Sequence, residues 1–98
     1  MAHDRRFRFG VQTGGSASAR EWKEKALKIE ALGYSTLYMP DHFIDTPYAP
    51  MVGIAMAAEA TESLRVGTLV LGNDYKHPAV VAKEFASIDV LSDGRVEA

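Results

Sequence analysis

The segments that read as strands open near positions 6, 35, 65 and 95, at separations of 29, 30 and 30 residues. This regular spacing constrains the chain more than any single motif, because it is the length of a strand, a helix and two short loops. A helix after every strand predicts a parallel sheet with right-handed crossovers. Eight such units would make a closed (β/α)8 barrel of about 250 residues. The 98 residues hold three units and the opening of a fourth strand. The expected fold class is therefore α/β: a parallel βα repeat forming the first three βα units, plus the start of the fourth strand, of a TIM barrel. A single partial barrel domain would cover 1–98.

Each element has its own signal. "RFRFGVQ" alternates Phe7, Phe9 and Val11 with Arg8, Gly10 and Gln12, the period-two pattern of a strand over 6–12. After the "TGGSAS" loop, Ser18 and Glu21 have capping-box spacing, and Trp22, Ala26 and Ile29 recur at i, i+4 and i+7, predicting a helix over 19–32 that stops at Gly33. Residues 35–39 read as a strand ended by Pro40. Pro50 opens an alanine-rich, nearly uncharged helix over 50–63. "RVGTLVL" is a strand over 65–71 with little polar alternation, as suits a strand covered on both faces. Pro78 opens a helix over 78–91 with Val81, Phe85, Ile88 and Leu91 along one side; "SDGR" turns out of it into a strand over 95–98.

Composition narrows the partners. With 47% apolar and 24% charged residues the chain is a soluble globular type, and its net charge of −2 is spread among mixed acids and bases. That is not the basic footprint phosphate backbones need, so no nucleic acid is expected. The absence of cysteine excludes disulfides, thiolate metal sites and a cysteine nucleophile. No run is long and apolar enough for a bilayer, and the start "MAHDRRFRFG" lacks the apolar core of a signal peptide, which predicts a cytoplasmic protein without a membrane role.

Chemistry in parallel α/β folds gathers at the C-terminal ends of strands. The loop after the second strand carries Asp41 and His42: a histidine that can take or hold a proton beside a carboxylate that can orient it. The same pair also suits a polar turn after Pro40. His77 precedes the proline of a helix start, where polar residues commonly shape the entry, though it also lies near the expected mouth. Asp41, His42 and Asp45 lack the paired spacing on a regular element that marks metal ligands, so no metal is expected. Gly14 and Gly15 precede a helix without the GxGxxG pattern or a P-loop lysine. Arg8, if it faces a barrel interior, requires a carboxylate that the sequence does not identify. Finally, an unclosed parallel sheet leaves strand edges unpaired, which predicts a homo-oligomer or strand-exchanged assembly.

"FRFGVQ", "ALGYSTLYMPDHF" and "ATESLRVGTLVLGNDYKHPAVVAKEFASIDVLSDGRVE" resemble, in order and spacing, the N-terminal part of the bacterial-luciferase-like superfamily, and more closely its branch using the deazaflavin coenzyme F-420. The resemblance covers nearly all of 7–97. It implies a (β/α)8 barrel about three times this length, often dimeric, with FMN or coenzyme F-420 at the mouth and a small-molecule substrate. It implies hydride transfer or, with FMN, monooxygenation. His42 falls at the position of a proton donor or acceptor, with Asp41 orienting it. Thr68, Leu69 and Val70 fall on the third-strand segment that backs the ring, and Gln12 and Asn73 lie at neighbouring strand ends. The family continues with a fourth strand and a glycine-rich loop that, with later strands, bind the phosphate-bearing tail. The chain alone is thus expected to bind cofactor weakly, without activity.

Overall fold

A computed structural model of the chain describes residues 8–40, 47–69 and 77–97. Strand β1 (Gly10–Gln12), helix α1 (Ala19–Ala31), β2 (Thr36–Met39), α2 (Pro50–Ala60), β3 (Arg65–Thr68), α3 (Pro78–Leu91) and β4 (Val96–Glu97) alternate along the chain. The strands form one parallel sheet in the order β1-β2-β3-β4. This is the arrangement of three βα units and a fourth strand of a (β/α)8 barrel.

Local chemistry sets the ends of α1. Ser18 Oγ accepts from the Glu21 N–H at 3.2 Å. At the other end the Gly33 N–H bonds Glu30 O at 3.1 Å and the Tyr34 N–H bonds Ile29 O at 3.3 Å, a Schellman closure with Gly33 at positive φ. Between these caps Trp22, Ala26 and Ile29 are buried. Trp22 Nε1 donates 2.8 Å to Gly53 O, tying α1 to α2.

Helix α2 ends at Ala60, short of the 63 expected, because its following turn has better partners than the helix ladder. Thr61 is extended, and Glu30 Oε2 accepts from the N–H groups of Glu62 (3.0 Å), Ser63 (2.7 Å) and Leu64 (3.0 Å) and from Ser63 Oγ (3.1 Å). The oxygens of the same turn face Arg95, which donates to Ala58 O (2.8 Å), Leu64 O (3.0 Å) and Thr61 Oγ1 (3.1 Å).

The core lies between the sheet and the helices. Leu37, Met39 and Val66 point from the strands against Trp22, Ala26, Ile54, Ala57 and Leu64. Helix α3 is held more loosely: Val81 is buried and Phe85 and Ile88 are partly buried, but Leu91 is 83% exposed and does not continue that side. Strand β3 ends at Thr68, and Leu69 forms a bend; positions 70 and 71 of the longer strand expected lie outside the described residues. Among the described residues no helix is long and apolar enough to cross a membrane.

Candidate functional site

Pairing aligns Gln12, Tyr38, Gly67 and Glu97 in one row across all four strands. Because strand residues alternate between faces, this row lies opposite the side bearing Val11, Leu37, Val66 and Val96, which pack on the helices. It belongs to the open face, the one that lines the interior when such a sheet closes.

At the C-terminal edge of this face, Gln12 Nε2 donates to Leu69 O at 2.7 Å, reaching over β2 to the exit of β3. The Leu69 N–H bonds Met39 O at 2.9 Å, so the bend after β3 is fixed on both sides. The structure therefore brings together Gln12 and Leu69. Thr68 is the register partner of buried Met39 and stands on the helix side, so its side chain is not grouped with Gln12. Asp41, His42, Val70 and Asn73 lie outside the described residues. His77 is the N-cap of α3: its Nδ1 accepts from the Ala79 N–H at 3.0 Å, the helix-entry role.

Below this edge lies a cluster that sequence reasoning did not assemble. The Tyr38 hydroxyl donates to Glu97 Oε2 at 2.7 Å, while Arg8 Nη1 and Arg65 Nε stand 3.2 Å and 2.9 Å from Glu97 Oε1. One carboxylate thus meets groups from β2, β3 and the entry to β1. Arg65 Nε is buried and off the donor axis, so its contact is ionic rather than a directed hydrogen bond. Tyr38 fits because its neighbours on this face lack side chains: a Cβ at Gly10 would stand 2.6 Å from its ring, and one at Gly67 would stand 3.3 Å from it. The hydrogen bond to Glu97, then burial and the charge of Glu97, push the Tyr38 phenol above its ordinary pKa. The available signal was the shared parity of Arg8, Tyr38 and Glu97 about their strands. It becomes useful only once the register is known. Among the described residues no three His, Asp or Glu side chains converge as a metal site.

The sequence model of the luciferase-like monooxygenase family matches residues 5–98. The chain belongs to this family. This luciferase-like chain is 33% identical over 98 residues to the F-420-dependent glucose-6-phosphate dehydrogenase of Amycolatopsis mediterranei, covering 88% of the chain and 29% of that relative. It thus spans under a third of the curated relative's length. Among solved structures, the coenzyme F-420-dependent tetrahydromethanopterin reductase of Methanopyrus kandleri superposes with a TM-score of 0.79 at 23% identity, covering 91% of this chain and 25% of that one. The oxygenating constituent of 3,6-diketocamphane monooxygenase from Pseudomonas putida, solved with FMN, superposes at 0.75 with 20% identity, covering 91% and 28%. At these identities the two structures establish the shared fold.

Proposed function

We propose that this luciferase-like chain forms part of the cofactor wall of an oxidoreductase that uses coenzyme F-420 or FMN on a small organic substrate. The observation that carries this reading is the Gln12–Leu69 bond at the open sheet's C-terminal edge, where an amide and a main-chain carbonyl stand together. Such groups suit the polar edge of a flavin or deazaflavin ring, which can receive or give hydride and, as FMN, activate oxygen. The relatives support the choice of cofactors: one is named for F-420 and another was solved with FMN.

In this reading Gln12 and Leu69 hold the ring edge, Thr68 and Val70 contribute the backbone behind it, and Asn73 lines the mouth. His42 takes or gives the proton of a substrate hydroxyl or carbonyl, and Asp41 orients it. The 98-residue chain carries little of the wall for an anionic cofactor tail, so its own affinity for either cofactor is weak.

Two measurements test the reading. Fluorescence titration of the 98-residue chain is expected to show weak or no uptake of either cofactor, and tight stoichiometric binding by the monomer contradicts that expectation. In a full-length family enzyme carrying this segment, His42→Ala should lower kcat at least about 100-fold while thermal stability changes little. Equal losses of both return His42 to a structural role.

A second reading, a non-catalytic module that homo-oligomerises, is favoured by one feature. Val52, Ala55 and Met56 of α2 line an open apolar groove beside α3, with Val52 58% exposed. Light scattering tests it: a discrete, stable dimer supports the module, and a monomer removes it.

A further inference from the structure

The Gln12–Leu69 bond spans three strands. Strands β1 and β3 each pair with β2, and the Gln12 side chain crosses the open face of β2 to reach the exit of β3. Adjacent strands lie about 4.8 Å apart, so the bond closes a gap of roughly 10 Å that a side chain one methylene shorter does not span. Both ends are fixed. The Thr13 N–H, next along from Gln12, bonds Tyr38 O at 2.9 Å, and Thr13 Oγ1 accepts from Lys25 Nζ at 3.3 Å. The Leu69 N–H bonds Met39 O at 2.9 Å. Between them the Tyr38 ring leans toward Gly10 and Glu97, which leaves the surface of β2 to the glutamine.

Chemistry sets the direction of the amide. A carbonyl oxygen only accepts, so Gln12 turns Nε2 and not Oε1 toward Leu69 O. Leu69 stands in a bend beyond the last residue of β3, where regular pairing ends and a carbonyl can turn. A bond of 2.7 Å from the glutamine fixes that direction. The bond is exposed, at the edge that a ligand in the mouth reaches.

We infer that Gln12 is a positioning residue, acting on a ligand at the mouth through the Leu69 carbonyl that its amide holds in place. The inference rests on the cofactor reading above and extends it to the direction of one acceptor. The bond uses one Nε2 hydrogen and one lone pair of Leu69 O, so the second lone pair is presented in a fixed direction to a ligand N–H or O–H. Leucine lacks the donor and asparagine lacks the reach. Glutamate at neutral pH sets a carboxylate against a carbonyl oxygen, but once protonated it regains a donor at nearly the same place.

The bond is read in the 98-residue chain by nuclear magnetic resonance. Gln12 is the only glutamine, so its side-chain amide is assigned by its loss in Gln12→Leu. One of the two amide hydrogens should exchange about fivefold more slowly than the other. Equal exchange overturns the inference. The positioning role is read in a full-length family enzyme carrying this segment, titrated with FMN and with coenzyme F-420. At about pH 7.5, Gln12→Leu, Gln12→Asn and Gln12→Glu should each weaken binding about tenfold while the melting temperature changes little. As pH falls toward about 5, Gln12→Glu should recover affinity relative to the native enzyme at the same pH, and Gln12→Leu should not. Native affinity in all three variants, a Gln12→Glu affinity that ignores pH, or a matching loss of stability overturns the positioning role and leaves the cofactor reading standing. A native enzyme that binds neither cofactor overturns that reading, and the positioning role with it.

Discussion

The turn between α2 and β3 and the open face of the sheet are both organised by charged side chains, yet they are built on different terms. At the turn, Glu30 collects N–H groups and Arg95 collects oxygens, so each charge is met by backbone dipoles of one segment. On the open face, charges are met by other charges, and one carboxylate is divided between Arg8 and Arg65. A charge satisfied by main chain stabilises one conformation of one segment. A charge shared among long side chains on several strands can be redistributed when another group arrives, which suits a surface that meets partners or ligands.

The sharpest way to break this comparison is Arg95→Ala. It removes donors to Ser92 O (2.7 Å), Ala58 O, Leu64 O and Thr61 Oγ1 together, leaving acceptors behind at the end of α2. We expect a loss of about 2–3 kcal/mol in urea unfolding, with Arg95→Lys recovering only part of it because an ammonium cannot span the same acceptors. A loss below about 0.5 kcal/mol would mean that water replaces the guanidinium and that the turn is not the more committed of the two regions.

Glu30→Gln comes next. Its carboxylate is near the surface, so solvent screening limits the expected loss to about 1 kcal/mol near neutral pH. The Ser63 N–H, with those of Leu64 and Glu62 and the Ser63 hydroxyl, holds the Glu30 carboxyl below its ordinary value of 4.5 against a smaller opposing effect of burial. Because the folded-state value is the lower one, this stabilisation is present above the unfolded value and is lost as pH falls through the folded value. The stability difference between the native chain and Glu30→Gln should therefore shrink in acid below about pH 4.5. A difference constant from pH 7 into that range would assign the effect to packing.

The smallest expected effect is on the open face. Tyr38→Phe should cost under about 1 kcal/mol, because the Glu97 carboxylate keeps both arginines. The informative readout is the phenol. Its pKa is raised in the fold, so the bond to Glu97 stabilises below the ordinary tyrosine value of 10 and is lost as pH rises through the folded value. In Glu97→Gln, ultraviolet titration should show phenol ionisation moving to lower pH. An unchanged titration would remove the Tyr38–Glu97 bond from the account of this face.

The βα alternation could be read directly from the chain, because strand and helix periods, prolines at helix starts and the Ser18 and Gly33 caps are local signals. Helix α2 shows where local signals fail: "ATES" continues a helical composition, but its N–H groups and oxygens are claimed by Glu30 and Arg95 from 32 and 34 residues away in sequence. In the candidate site, Gln12 follows from its place at a strand end and Leu69 from the family resemblance, while their hydrogen bond depends on two strands separated by a third. The partner of Arg8 was likewise open until the register set Glu97 opposite Gly67 and within reach of Tyr38. Periodicity and caps act over a few residues, so they are written in the order of amino acids. The Glu97 cluster depends on sheet register, which many weak packing contacts settle together, and it exists only once the strands lie side by side.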